Sequence, residues 1–155
     1  MHVGGTAIRA VVDTDIFVRA LLHDIGRLVD YDSSRVVAAI EAGEIVPILS
    51  NETYDELKDI LRYKIAVEFD LLTDEINDYI DDINACAQWV TITNKLHVCV
   101  EDPNDDKFIE TACVAQVPYL VAIDRHFHQS AVTKAHLKRD SVELLYPADI
   151  LKRIP

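Results

Sequence analysis

The chain has 155 residues, is 50% hydrophobic and carries a formal net charge of −12, which suits one folded domain over residues 1–155 and excludes a disordered chain. No apolar run approaches the roughly 20 residues that span a bilayer, and the N-terminus lacks the regions of a signal peptide, so a soluble, cytoplasmic protein without membrane contact is expected. The acidic balance argues against extended gripping of a nucleic-acid backbone, but not against a nuclease whose bound cations reset the local charge.

Residues 8–12 form an apolar, β-branched run that stops at Asp13-Thr14-Asp15, which reads as a buried strand feeding a helix over residues 16–22. Gly26 and residues 30–34 interrupt that helix. Ser33 or Ser34 then caps a second helix through Val36, Val37 and Ile40 to Ala42, closed by Gly43. Residues 45–49 read as a second strand, completing a parallel βαβ pattern. Ser50 and Asn51 start a third helix that reaches about Tyr63, with Tyr54, Leu57, Ile60 and Leu61 on its buried face, and a shorter piece follows over residues 65–72. Thr73 or Asp74 caps a longer helix to Ala87, whose acids Asp74, Glu75, Asp78, Asp81 and Asp82 form a solvated face. Residues 89–92 and 97–100 read as short extended segments. Residues 101–106 turn into a helix carrying Phe108, Ile109, Ala112, Cys113 and Gln116. Residues 119–123 form a strand ending at Asp124, residues 142–145 form the last strand, and Pro147 opens a closing helix. Cys86, Cys99 and Cys113 are too widely spaced for a metal-ligand motif and read as buried or half-buried free thiols.

Four acids stand out by position. Asp13 and Asp124 each end a strand, Asp105 opens a helix after an extended segment, and Glu56 lies on the helix after the second strand. The carboxyl ends of parallel strands share one edge, where ligands of such sheets bind. Helix geometry places Glu56 about 40° from Ile60, at the border of the apolar stripe, while Asp55 points to solvent. Asp105 precedes Phe108 and Ile109 by three and four residues and lies along the buried stripe; Asp106 is turned away by one step, and Asp102 caps the helix or supports the cluster. Crowded carboxylates repel unless a cation joins them, and hard divalent cations such as Mg²⁺ take oxygen ligands of this kind.

These motifs resemble those of PIN-domain proteins over nearly the whole chain. Val11-Val12-Asp13-Thr14-Asp15 resembles the family's opening strand motif. Ser50 followed by Glu56-Leu57 resembles its second motif. Asp102-Pro103-Asn104-Asp105 leading into Phe108, Ile109 and Ala112 resembles the third, and residues 119–124 resemble the strand that ends in the fourth acid. The resemblance implies a three-layer, Rossmann-like α/β/α sandwich around a parallel sheet. It implies a Mg²⁺- or Mn²⁺-dependent ribonuclease, the VapC-like toxin of a toxin–antitoxin pair, with a cognate antitoxin partner and a homodimer. Carried over, Asp13, Glu56, Asp105 and Asp124 are its metal-site acids, supported by hydrogen bonds from Thr14 and Ser50. Three positions depart from the family pattern: Asp15 replaces an Asn, Ala122 a Thr or Ser, and His126 an Asp.

The chemistry expected is metal-assisted phosphodiester hydrolysis, with Asp13, Asp105 and Asp124 holding one or two metals and Glu56 completing the coordination or orienting water. Arg9, Lys58, Arg62 and Lys64 are candidates for phosphate contacts, although cations late on a helix are also explained by its dipole. The alternative is a PIN-like module that has lost catalysis and serves interaction or regulation. A small-ligand site ranks last, because no Gly-rich loop follows the first strand.

Overall fold

The computed structural model describes residues 6–93 and 105–155. Its elements run β1 (Ile8–Val12), α1 (Thr14–Asp24), α2 (Tyr31–Glu41), β2 (Ile45–Leu49), α3 (Asn51–Asp59), a π-helical turn (Ile60–Ile65), α4 (Ala66–Glu68), α5 (Thr73–Cys86), β3 (Gln88–Trp89), α6 (Asp106–Ala115), β4 (Tyr119–Val121), α7 (Arg125–Gln129), α8 (Ala131–Arg139), β5 (Glu143–Leu145) and α9 (Pro147–Leu151). The strands form one parallel sheet in the order β3-β2-β1-β4-β5. After β1 the chain builds outward on one side through β2 and β3. It then crosses back and builds the other side through β4 and β5. The strand order therefore reverses between β1 and β4, and a crevice opens at their carboxyl ends.

Period-two alternation divides the core into two layers. Ala10 and Val12 of β1 and Val121 of β4 pack on one face with Ile16, Phe17 and Ile40, while Val11, Leu120 and Ala122 pack on the other with Phe108, Ile109 and Phe127. The result is a three-layer α/β/α sandwich. Tyr79 of α5 donates a hydrogen bond from its hydroxyl to the Phe17 carbonyl at 2.6 Å, pinning α5 onto α1.

Several boundaries differ from the sequence expectation. The cap of α2 is Asp30, whose Oδ1 accepts from the Ser33 amide at 3.0 Å, and not Ser33 or Ser34. Burial works against the Asp30 charge, but the Arg19 guanidinium at 2.6 Å and two hydrogen bonds from Ser33 hold its carboxyl below the ordinary range. At α5 the N-cap is Leu72, with no side-chain cap, so Thr73 and Asp74 lie inside the helix. The third helix does not stop near Tyr63: the π-helical turn carries it on into α4, and Leu57, Leu61 and Ile65 stay buried together. The extended segment after α5 is strand only at Gln88–Trp89, and residues 97–100 lie outside the described residues. Two helices, α7 and α8, occupy a stretch with no assigned element. Cys86 and Cys113 are half-buried free thiols, Cys113 being pushed up to about 12 by burial and by Asp140, whereas Cys99 lies outside the described residues.

Gly43 follows α2 with φ +78°, and a Cβ there would meet nothing within 4 Å. Replacing it with Ala therefore carries only the left-handed backbone cost, about 1 kcal/mol. The expected loss in melting temperature is about 2–4 °C. An unchanged melting temperature would show that the loop relaxes out of this conformation.

Candidate active site

The crevice between β1 and β4 gathers the acids. Val12 pairs with Val121, and the Asp13 amide donates to the Val121 carbonyl at 2.9 Å, so Asp13 stands against the end of β4. Asp13 is 5% exposed. Burial raises its carboxyl well above the usual range, and repulsion from Asp15, Asp105 and Glu56 raises it further, against one backbone hydrogen bond from Thr14. Asp15 stands at the rim. Loss of surrounding water raises its carboxyl, Asp124 adds to that, and the nearby charges of Arg19 and Lys64 oppose it. Asp15, Asp105 and Glu56 therefore act on Asp13, and Asp124 acts on Asp15, from the ends of β1 and β4, from α1 and α3 and from the start of α6.

Glu56 reaches this cluster from α3. Ser50 and Thr53 close a capping box at the start of that helix, which fixes its direction. Thr14 Oγ1 donates to Glu56 Oε2 at 2.7 Å, and Lys107 Nζ lies 3.2 Å from Glu56 Oε1. As its wheel position requires, Glu56 is half-buried while Asp55 and Asp59 are exposed. Ser50 is fully buried, and its side chain bonds Thr53 and Thr111. Its Oγ lies 2.9 Å from Thr111 Oγ1, which donates to the Lys107 carbonyl at 2.6 Å, so Ser50 ties α3 to the first turn of α6.

Asp105 is the residue just before α6, with its Oδ2 shielded from solvent. Asp106, one step round from Asp105, is buried at 6% exposure. Asp102 lies outside the described residues. Asp124 caps α7 through its Oδ1, which accepts from the His126 amide at 2.8 Å and lies 3.2 Å from His126 Nδ1. Ala122 is fully buried in the apolar layer with Val11 and Phe127, so the position lacking a hydroxyl sits in a dry setting. Of the four phosphate candidates, Lys64 acts on Asp15, while the other three have partners elsewhere. Lys58 lies over the Tyr54 ring at 4.5 Å and 3.4 Å from Asp55, Arg62 Nε donates to Asn77 at 3.0 Å, and Arg9 Nε donates to Gln88 at 3.0 Å.

Among the described residues, the side-chain ammonium hydrogen-bonded to Glu56 is that of Lys107, which sequence reasoning passed over. A signal was present: lysine in the first turn of a helix opposes the helix dipole, so it needs a local reason. Among the described residues no three carboxylate, imidazole or thiolate groups stand poised around one point. Glu56 is held by Thr14 and Lys107, and Asp124 by His126. The donor set nevertheless fits a hard divalent cation. It is all oxygen, anionic and self-repelling, and one member is buried with a raised pKa.

A parallel three-layer sandwich with acids gathered at its switch point defines a PIN-like α/β fold. A family model described as PIN domain matches residues 9–126. The chain belongs to the PIN-domain family, whose members are generally nucleases and typically use divalent metals. Comparison with curated proteins and with solved structures yields no match. No helix among the described residues is long and apolar enough to cross a membrane.

Proposed function

We propose that this PIN domain is a Mg²⁺- or Mn²⁺-dependent endoribonuclease. The observation that carries the reading is the buried Asp13, destabilised as a carboxylate by its acidic neighbours in the crevice of the sheet. Folding tolerates such a cluster at a cost, and a bound cation removes that cost. Asp13, Asp105 and Asp124 would hold the metal. When bound, it would polarise the phosphate and make nearby water more acidic. Glu56, oriented by Thr14, would accept a proton from the attacking water. Family motifs and their order support a VapC-like toxin role, with a cognate antitoxin and a homodimer as its partners.

A second reading, a PIN-like interaction module without catalysis, draws on the Lys107–Glu56 pair, which supplies an internal counter-ion where a metal's charge would act.

The test is cleavage of a labelled RNA oligonucleotide in Mn²⁺, in Mg²⁺ and in chelator, with Asp124→Asn in parallel. Metal-dependent cleavage that the variant loses by about a hundredfold or more supports the nuclease. Cleavage that persists in chelator, or in the variant, overturns the assignment of the site.

A further inference from the structure

Residues 125–139 hold Arg125, Lys134, Lys138 and Arg139 with three histidines and no acid, a formal +4. The remainder of the chain sets 11 basic residues against all 27 acids, a balance of −16. Against the acidic balance of the whole chain, α7 and α8 thus carry a concentration of basic residues directly after Asp124. Little of it is needed for packing, since these helices bury only Phe127, Thr133 and Leu137. The family match ends at residue 126, so most of the patch lies beyond it.

The patch has a shape as well as a sign. Lys134 and Lys138, one turn apart and exposed, line a cavity of about 690 Å³ with His128, Leu137, Leu144 and Tyr146. The His128 ring stacks on Tyr146 with centroids 3.6 Å apart and planes 7° off parallel, and its Nε2 lies 2.7 Å from the Ala122 carbonyl. Tyr146 is held by that stack yet stays 41% exposed. Glu143, the acid in the lining, is taken by Arg153 through two hydrogen bonds of 3.1 and 2.8 Å. No acid among the described residues pairs with Lys134 or Lys138. His128, at one end of the cavity, stands four residues after Asp124, a rise of about 6 Å along α7.

We infer that the α7–α8 face is the docking surface for single-stranded RNA, with backbone phosphates on Lys134 and Lys138 and a base stacked against Tyr146. Two lysines alone would suit any polyanion. A partly exposed aromatic ring beside them suits unpaired bases, which stack where duplex bases do not. The inference rests on the ribonuclease reading and places its substrate. An acidic protein partner would use the lysines without needing the ring.

The test is binding of a fluorescent single-stranded RNA of about 12 nucleotides, followed by anisotropy in chelator so that nothing is cleaved. Lys134→Glu with Lys138→Glu should weaken binding about tenfold or more and flatten its salt dependence. A charge-matched control on the opposite layer of the sandwich, Arg27→Glu with Arg35→Glu, should cost about twofold or less by the same screening argument. Tyr146→Ala should cost about fivefold or more, the effect of one lost stacking contact. The milder Lys134→Gln with Lys138→Gln should lose affinity in the same direction. Equal losses in patch and control variants, no loss in either, or no RNA binding by the wild type each overturn the inference. Patch-dependent binding without metal-dependent cleavage supports it while removing the ribonuclease reading. Cleavage with patch-independent binding does the reverse.

Discussion

Asp13→Asn is expected to lower metal-dependent cleavage about a thousandfold or more and, in the same protein, to raise the stability of the metal-free fold. The two effects share one cause. Asp13 is buried among Asp15, Asp105 and Glu56, and both burial and repulsion disfavour its charge. Asparagine keeps the shape and removes the charge. Without the carboxylate, several kcal/mol of charge stabilisation toward a divalent cation is lost, which accounts for the fall in rate. Without the repulsion, the metal-free protein gains, by about 2–4 °C in melting temperature for each kcal/mol relieved.

The pH dependence follows from the same shift. The folded state holds the Asp13 proton more tightly than the unfolded chain does. Stability from this group is therefore complete below the ordinary carboxylate range and declines as pH rises from there through the raised folded value. Asp15, also raised, adds a decline of the same sign. Melting curves in chelator across that window should slope downward for the wild type and less steeply for Asp13→Asn. A variant that is less stable at neutral pH, or one that still cleaves RNA in a clean preparation, would show that Asp13 is not the strained centre of the site.

Much of this arrangement was legible because strand ends are written in simple chemistry. An apolar run that meets Asp13 or Asp124 directly marks both a strand and its carboxyl edge, and β1 and β2 lie where the hydrophobic pattern puts them. Glu56 was distinguishable from Asp55 and Asp59 because one helical face was already assigned to Leu57 and Leu61. The features that were missed depend on partners distant in sequence. Asp30 caps α2 because Arg19, on the preceding helix, meets it. The π-helical turn inserts an irregularity for which the pattern of Ile60, Leu61 and Ile65 gives no local punctuation. In α7 and α8, the only apolar side chains fully buried, Phe127 and Leu137, stand ten residues apart, too far to show a helical period. Whole-chain charge hid the basic face for the same reason: a sum of −12 does not show that residues 125–139 have the opposite sign.

Lys107→Met should tighten Mn²⁺ binding to the acidic crevice about tenfold, or 1.4 kcal/mol, while making the metal-free protein less stable by about 1–2 kcal/mol. Lys107 Nζ lies 3.2 Å from Glu56 Oε1, and both side chains are largely shielded, at 22% and 18% exposure. Water screens such a pair less than a surface pair, so its removal is felt. The ammonium is the one side-chain cation that the described residues bring into hydrogen-bonding contact with Glu56. It offsets the charge of Glu56, one of the acids that raise Asp13, and it does so where a divalent cation would act. Anything that holds Glu56 in the empty site opposes a newcomer that needs the same carboxylate. Methionine keeps the length and apolar stem of lysine, so packing against α3 is preserved while the charge is lost. Lys107→Arg keeps the charge and should bind Mn²⁺ no more tightly than the wild type. Calorimetric titration of the three proteins, with melting curves in chelator, reads both halves. A Met variant with unchanged or weaker Mn²⁺ affinity would mean that Lys107 does not compete for Glu56. One with unchanged stability would mean that the pair contributes nothing to the empty fold.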